Sequence, residues 1–132
     1  MNKVILITGA SSGLGKATAD YLMQHKYHVI GTCRDPKKHN SDYGVELLPF
    51  DLNQPDSDVK LVQQVLDKAG RIDVLINNAG AGITGPIEEV ESLAMESHFK
   101  TNLFGPLTLT QKVLPIMRKQ KSGLIINVCL LY

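Results

Sequence analysis

Strong charge of either sign, long apolar runs and clustered cysteines are all missing from this chain of 132 residues. Its 14 Lys and Arg residues against 13 Asp and Glu residues leave a formal charge of +1. That balance excludes the basic field with which proteins attract nucleic acid or an anionic membrane. The first apolar run, Val4 to Ile7, is too short for a signal peptide or a membrane span. We therefore expect a cytoplasmic protein with no nucleic-acid or membrane partner.

Cysteine is scarce, and metal-ligand patterns are absent. Cys33 and Cys129 lie far apart in the sequence, and no leader indicates an oxidising compartment, so both are expected to be free thiols. The four histidines show no ligand spacing with cysteines or acidic residues. These absences exclude a disulfide framework, and no metal site is predicted.

What the chain does have is an average globular composition, with 43% hydrophobic and 20% charged residues, which predicts one domain over 1–132. Apolar β-branched runs alternate with segments of helical spacing. The predicted strands are 4–7, 28–33, 45–50, 72–76 and 124–128. The predicted helices begin near 14, near the polar residues 56–58 and near 92, and the last extends to 118 with a kink at Gly105-Pro106. This order predicts an α/β fold, a Rossmann-like doubly wound parallel sheet that stops after its fifth strand.

A glycine-rich segment, Thr8 to Gly15, joins the first predicted strand to the first predicted helix. At such a junction, backbone N–H groups and the positive end of the helix make an anion site. Two better-known phosphate loops do not fit. The P-loop would need glycine at Ala10 and Ser or Thr at Ala17, and the dinucleotide pattern G-x-G-x-x-G would need glycine at Thr18. An ordinary tight turn between strand and helix is the alternative interpretation.

The loop does match T-G-x-x-x-G-x-G, and in this it resembles the cofactor loop of the short-chain dehydrogenase/reductase family. Further matches follow in the family's order: Asp51-Leu52, Asn77-Asn78-Ala79-Gly80, Asn102 and the run 123–128. The resemblance implies the Rossmann-type fold and an oxidoreductase that transfers hydride between a nicotinamide cofactor and a small alcohol or carbonyl compound. It also implies a homo-oligomer, of which this chain would carry half of the usual interface.

The resemblance further implies a set of cofactor-binding residues. Gly9 would permit the turn, Gly13 and Gly15 would let the pyrophosphate approach closely, and Asp51 would reach the adenine. The other implied contacts are Ser11, Ser12 and Leu14 in the same cradle, Leu52 beside Asp51, and Asn78, Ala79 and Gly80 along the adenosine ribose. Asn77 is expected to tie neighbouring strands together. A plain turn of small residues is the alternative for 77–80.

The choice between NAD and NADP depends on the end of the second strand. An acidic residue about 20 positions beyond the loop bonds the ribose 2′-OH of NAD, whereas Arg there accepts the 2′-phosphate of NADP. Arg34 follows the loop by 19 residues, and Cys33 stands where NAD-preferring relatives usually place Asp. Asp35 could pair with Arg34, but the lysines at 37–38 restore positive charge. NADP(H) is therefore predicted over NAD, and a merely solvated loop is the alternative.

Most of the family's catalytic pattern is missing. Hydride transfer at a carbonyl needs a proton donor or acceptor, and in the family a Tyr serves with a Lys four residues later. No Tyr-x-x-x-Lys occurs in 1–132, Tyr132 has no such Lys partner, and Cys129-Leu130 stand where the family has its Ser. Only Asn102 of the catalytic set is present, where it would help to hold a water and the Lys in a proton relay. The alternative is a helix-interior Asn tolerated beside the predicted kink.

Family members are usually nearly twice as long, which predicts a truncated subunit. One possible choice of codons for Cys129 to Tyr132 encodes Ser-Ser-Ile when it is read in a shifted frame. The family would have Ser-Ser-Ile at this point, which favours a frameshift near codon 128. The alternatives to an active enzyme are a non-catalytic NADP(H)-binding fragment and an inert pseudogene product. The substrate is not predicted, although 85–90 and 104–107 resemble members that act on hydrophobic alcohols such as steroids and retinoids.

Overall fold

A computed structural model describes residues 2–39 and 44–129. Leu130, which stands with Cys129 where the family has its Ser, and Tyr132, which has no Lys partner, lie outside these ranges. Five strands form one sheet in the order β3-β2-β1-β4-β5, and every neighbouring pair is parallel. The strands are β1 (Val4–Ile7), β2 (His28–Cys33), β3 (Glu46–Pro49), β4 (Val74–Asn77) and β5 (Leu124–Asn127). The predicted α/β fold, a Rossmann-like parallel sheet ending at the fifth strand, is confirmed.

The central strand β1 is buried on both faces, as its unbroken apolar run predicts. Val4 and Leu6 enter a core that includes Leu61 and Leu109, from the helices α2 (Ser57–Ala69) and α4 (Gly105–Gln120). Ile5 and Ile7 enter a second core that includes Ala19, on the helix α1 (Gly13–Gln24). Because successive side chains of a strand alternate between faces, four residues supply both cores.

The bounds of three strands differ from the predicted ones. The third strand is 46–49 rather than 45–50, the fourth is 74–77 rather than 72–76, and the fifth is 124–127 rather than 124–128. At the start of α2, Asp56 takes a left-handed backbone conformation with φ of 58° and makes no side-chain capping bond to a described residue. Gly70 ends α2 in the left-handed conformation, as expected of a glycine cap.

The long helix predicted over 92–118 is two helices with a π-helical turn between them. The helix α3 (Ser92–Phe99) passes into the π turn Lys100–Phe104, and α4 begins directly afterwards. The irregularity therefore lies just before the predicted Gly105-Pro106 position, and α4 continues through Pro115. Such π turns occur often at functional sites, and this one contains Asn102.

Because all five strands are parallel, the loops that follow them meet at one edge of the sheet. The chain runs outward from β1 to β3 and then returns to β4 on the other side of β1. The edge between β1 and β4 is thus the point where the strand order reverses. Open α/β sheets bind ligands in the crevice at such a point, and the candidate site lies here.

Candidate functional site

The glycine loop packs against the loop that follows β4. Gly9 has φ of +67°, and a Cβ built on it would lie 2.9 Å from Ala79 Cα. A Cβ on Gly15 would overlap both the Gly9 carbonyl oxygen and the Asn78 side chain. These two positions therefore require glycine, for the turn and for the close approach of two loops.

Hydrogen bonds fix the two loops to each other. Thr8 Oγ1 accepts the backbone N–H of Asn78 at 3.0 Å and that of Ala79 at 2.9 Å. In return, Asn78 Nδ2 donates to the carbonyls of Thr8 at 3.1 Å and Gly9 at 3.3 Å. From the neighbouring strand, Thr32 Oγ1 accepts the Gly9 N–H at 3.3 Å. The backbone of this edge is therefore held by side chains that are themselves at least partly buried.

The start of α1 is open toward solvent. Ser12 stands at the N-cap position and makes no side-chain capping bond to any described residue, and Gly13 is the first helical residue. Ser11 is half-buried, whereas Ser12 and Gly13 are exposed. Leu14 is 60% exposed although it is apolar. The positive end of a 12-residue helix thus faces the crevice without a side chain of its own to cap it.

At the end of β2, Arg34 is exposed and Cys33 is buried. The Asp35 carboxylate accepts the backbone N–H of Lys37 at 3.2 Å and so begins a short 3-10 helix, Pro36–Lys38. Among residues 2–39 and 44–129, no ion pair joins Asp35 to Arg34. Burial raises the pKa of the Cys33 thiol, which favours its neutral form. The strand is therefore followed by Arg34, and the neighbouring Asp35 carboxylate bonds to the Lys37 N–H and not to the Arg34 guanidinium.

The residues after β3 are half-buried and face α2 and α4. The Asp51 N–H donates to Ser57 Oγ at 2.9 Å, and its carboxylate accepts the Asn53 N–H at 2.9 Å. The Leu52 side chain fills the space where a Cβ of Gly105 would stand. Asp51 thus stabilises the turn to which it belongs, and the Leu52 side chain packs against the start of α4.

The residues after β4 are held from the helix side. Asn77 Nδ2 donates to Asn127 Oδ1 at 2.9 Å and to Thr110 Oγ1 at 3.2 Å, so it joins β4 to β5 and α4 as predicted. Asn102, in the π turn, accepts the Ala81 N–H at 2.9 Å through Oδ1 and donates to the Ala81 carbonyl at 2.7 Å. A Cβ on Gly80 would lie 2.8 Å from Asn102 Oδ1. The loop after β4 is therefore clamped between Thr8 and Asn102.

The structure brings most of the predicted residues together, but not all. Gly9, Gly15 and the segment 78–80 are in direct contact with one another or with Asn102. No hydrogen bond in the described chain joins Arg34 or Asp51 to the glycine loop. Sequence reasoning did not single out Thr8, Thr32 or His98. The two ring nitrogens of His98 lie 2.9 and 3.3 Å from Asn102 Nδ2. Only Thr8 carries a signal, since it is a polar residue at the end of a buried strand.

Within residues 2–39 and 44–129, no group of three or more His, Cys, Asp or Glu side chains could hold a metal ion. None of the helices found there is both long and apolar enough to cross a membrane.

The family is decided by a direct match, since the model of the short chain dehydrogenase family matches residues 3–131. The chain belongs to the short-chain dehydrogenase family. Members of this family bind nicotinamide cofactors and act as oxidoreductases on small molecules.

Individual relatives agree with this. The 3-ketodihydrosphingosine reductase of Bacteroides thetaiotaomicron is 42% identical over 96% of this chain and 46% of its own length. Retinol dehydrogenase 8 of Bos taurus is 37% identical over 96% of the chain and 44% of its own. The solved structure of ElxO with NADP bound superposes with a TM-score of 0.86 at 29% identity, over 96% of this chain and 55% of that one. The chain thus spans about half the length of the relatives that it matches.

Proposed function

We propose that this chain forms the NADP(H)-binding half of an oxidoreductase that transfers hydride at an alcohol or carbonyl carbon. The observation that carries the proposal is the pair of loops at the β1–β4 edge, where two required glycines let the loops pack closely beside the exposed, uncapped start of α1. A nicotinamide dinucleotide, when bound, supplies the hydride chemistry. The chain's own part is to hold it.

The proposed contacts follow the shape of this edge. Backbone N–H groups of Gly13 and its neighbours at the start of α1 would receive the pyrophosphate, because they carry partial positive charge and no side chain caps them. Ser11, Ser12 and Leu14 would lie beside it. Asp51 and Leu52 would lie toward the adenine, and 78–80 along the adenosine ribose. Family membership supports this assignment.

The preference for NADP(H) over NAD is proposed for Arg34. The exposed guanidinium lies at the end of β2, and the adjacent Asp35 carboxylate bonds to the Lys37 N–H instead. An unpaired guanidinium is well suited to a ribose 2′-phosphate. The NADP in the ElxO structure is a further support.

A substitution at Arg34 tests this preference. We expect Arg34→Ala to weaken NADPH binding about ten-fold or more and to leave NADH binding unchanged, because a charged hydrogen bond contributes roughly 1.5–3 kcal/mol. Calorimetric titration with both nucleotides measures it. Arg118→Ala, at an exposed Arg near the end of α4, is the matched control. An equal loss for both nucleotides would contradict the assignment.

Catalysis by this chain alone is not part of the proposal. Asn102 is the one proposed catalytic residue, as a holder of water in a proton relay, and no Tyr-x-x-x-Lys occurs in 1–132. Loss of general acid–base catalysis typically costs 10² to 10⁴-fold in rate. A non-catalytic NADP(H)-binding fragment is therefore the second candidate, and an inert pseudogene product is the third. The proposal also includes a cytoplasmic location, which fractionation of cells expressing the tagged chain would test.

For the intact enzyme we propose a hydrophobic alcohol or carbonyl substrate. The loop after β4 and the helix α3 that follows it expose Ile83, Ile87 and Leu93, the last two at 76% each. Two relatives are named as a 3-ketodihydrosphingosine reductase and a retinol dehydrogenase, and both names describe largely apolar compounds. These residues would line the substrate side of the site.

The decisive experiment is a binding titration with a charge-placement variant. Leu14→Glu puts a carboxylate at the exposed start of α1, where it suits the helix but repels a pyrophosphate. We expect the wild-type chain to bind NADPH more tightly than NADH, and Leu14→Glu to weaken both at least about ten-fold. Val59→Glu is the matched control, because Val59 is an exposed apolar residue in the first turn of α2.

The outcomes separate the three candidates. Binding with no change of absorbance at 340 nm on addition of alcohols or carbonyl compounds supports the non-catalytic fragment. A change at 340 nm shows that the chain itself turns over. No NADPH binding by the wild-type chain would leave only the inert product.

A further inference from the structure

The glycine loop lies against β2 as well as against the loop after β4. Ala10, the third residue of the glycine loop, is fully buried. Its N–H donates to the Thr32 carbonyl at 2.9 Å, and the N–H of the preceding Gly9 donates to Thr32 Oγ1 at 3.3 Å. Two consecutive loop residues are therefore bonded to one residue of β2, so this part of the loop is held against that strand.

Gly31, in the middle of β2, permits this close approach. Its register partners are Ile7 in β1 and Leu47 in β3. A Cβ built on Gly31 would lie 2.5 Å from Ala10 Cβ, whereas carbon atoms pack best at roughly 3.5–4.0 Å. The same Cβ would lie 3.0 Å from Leu47 Cδ2, but that methyl group is the end of a flexible side chain. Ala10 Cβ is attached directly to the backbone, so relief of that overlap requires the loop to move.

The position of this glycine in the sheet is unusual. Among the residues that the structure describes, Gly31 is the one glycine within a strand. A glycine in the interior of a strand lowers stability, and it often marks a place where another backbone approaches closely. Here the approaching backbone is that of the glycine loop. The loop therefore accounts for Gly31, because strand pairing itself does not require a glycine.

The loop is also held on its other sides. Toward β4, Thr8 Oγ1 accepts two N–H groups of the loop after that strand. Toward α1, a Cβ on Gly15 would overlap the Gly9 carbonyl oxygen. The first residue of α1, Gly13, follows Ala10 by only three positions. A displacement of Ala10 is therefore passed on to the start of α1.

We infer that Gly31 is a positioning residue, which lets the buried Ala10 methyl group lie against β2 and thereby sets the position of the Gly13 N–H and its neighbours. Its effect on NADP(H) binding rests on the proposed function, in which these N–H groups receive the pyrophosphate. Gly31 and Ala10 are complementary, because the methyl group of Ala10 occupies the space beside Gly31. A second methyl group, on Gly31, displaces the loop by about 1 Å, and removal of the Ala10 methyl group restores the space.

The test transfers the methyl group from the loop to the strand. Gly31→Ala adds a methyl group to β2, Ala10→Gly removes one from the loop, and the double variant combines the two changes. We expect Gly31→Ala to weaken NADPH binding at least about ten-fold, as for one lost hydrogen bond to a charged group. The double variant should bind within about three-fold of Ala10→Gly, because the overlap is gone. Calorimetric titration of the wild type and the three variants measures this.

Two binding results would overturn the inference. One is a folded Gly31→Ala that binds NADPH as tightly as the wild type, and the other is a double variant that binds as weakly as Gly31→Ala. If Gly31→Ala alone does not fold, the double variant should fold and bind, since it lacks the overlap. A double variant that is unfolded as well would also overturn the inference.

The matched control adds a methyl group at another glycine. Gly44 precedes β3 and therefore lies at the opposite end of the sheet from the glycine loop. A Cβ built on Gly44 would lie 2.8 Å from the terminal methyl group of Met23, which is the end of a flexible side chain. Gly44→Ala should therefore leave NADPH binding unchanged. Equal weakening by Gly44→Ala and Gly31→Ala would show that the contact with Ala10 is not the cause.

Hydrogen exchange followed by NMR distinguishes this inference from the proposed function, because it needs no cofactor. It compares the N–H of residue 10, which bonds to the Thr32 carbonyl, with the N–H of Leu75 in the buried strand β4. We expect protection at residue 10 to fall about 2- to 10-fold relative to Leu75 in Gly31→Ala, and to recover in the double variant. A general loss of stability would lower both protections together and would contradict the positioning role.

The two measurements together separate the two claims. If residue 10 responds as expected but NADPH does not bind even to the wild-type chain, the proposed function is wrong and the positioning role stands. If the wild-type chain binds NADPH but residue 10 does not respond to Gly31→Ala, the positioning role is wrong and the proposed function stands.

Discussion

At the scale of the residue, Thr8 links the two loops of the candidate site. It is only 3% exposed, and its hydroxyl oxygen accepts two backbone N–H groups of the loop after β4. A buried acceptor shared by two donors is costly to remove, because each donor then loses both water and partner. Thr8 therefore matters for the shape of the site although it is not one of the glycines.

We predict that Thr8→Val, which keeps the side-chain shape, lowers the free energy of unfolding by about 1–3 kcal/mol. Urea unfolding followed by far-UV circular dichroism measures this, since the chain has no Trp to report by fluorescence. Thr32→Val is the matched control, because Thr32 Oγ1 accepts one N–H at the longer distance of 3.3 Å. Equal losses in both variants would show that Thr8 has no special part.

At the scale of the element, an ion pair anchors the start of β1 to the segment before β4. Asp73 is 7% exposed, and its Oδ2 accepts the Val4 N–H at 2.8 Å. Arg71 reaches the same carboxylate with two nitrogens, Nε at 2.9 and 3.0 Å and Nη2 at 2.6 Å. The hydrogen bond from Arg71 is the main reason that the pKa of Asp73 lies below its ordinary value. The charged carboxylate is therefore favoured by the folded state.

This anchor predicts a pH dependence of stability. A depressed folded pKa contributes stability above the unfolded value, about 3.9 for Asp, and that contribution is lost as pH falls through the folded pKa. We expect Asp73→Asn to be less stable than wild type at pH 7 by about 1–3 kcal/mol, and the difference to shrink as pH falls below about 4. Urea unfolding at several pH values measures it.

The control for this prediction is Glu88→Gln, which removes an exposed carboxylate in a short 3-10 helix. It should change stability little at any pH, since exposed charges contribute little. A difference between wild type and Asp73→Asn that stays constant down to acid pH would contradict the assignment of the charge effect to Asp73.

At the scale of the whole molecule, β5 lies at the edge of the sheet. No strand of the described residues pairs with its outer side, and Leu124, Ile126 and Val128 are exposed by 53%, 41% and 36%. Unpaired backbone groups next to an apolar face are a template for association. The 132-residue chain should therefore self-associate through this edge.

We predict that Ile126→Lys lowers this self-association, because a lysine on an edge strand opposes pairing with a second strand. Size-exclusion chromatography with light scattering over a range of concentrations measures the change. Val59→Lys makes the same substitution at an exposed residue of α2, away from the sheet edge. If Val59→Lys lowers association as much, the edge is not the cause.

The sequence predicts individual residues best at positions where the backbone conformation allows only one residue type. Gly9 and Gly15 are recognisable because a turn and a close approach demand glycine, and Gly70 is recognisable as a helix end. The strands at 4–7 and 28–33 match their predicted bounds, whereas the other three shift by one or two residues. One of these is β4, which is paired on both sides as β1 and β2 are. Backbone pairing decides where a strand begins and ends, and apolar runs do not.

The sequence by itself determined the α/β order of elements, the glycine loop and the family, because each depends on local spacing or on residue type. The tertiary structure alone decided which distant groups meet. The clamp of Thr8 on 78–79 spans about 70 residues, and the clamp of Asn102 on Ala81 depends on a π turn that no spacing predicts. Such contacts are set by parallel pairing, which brings the ends of remote strands to one edge of the sheet.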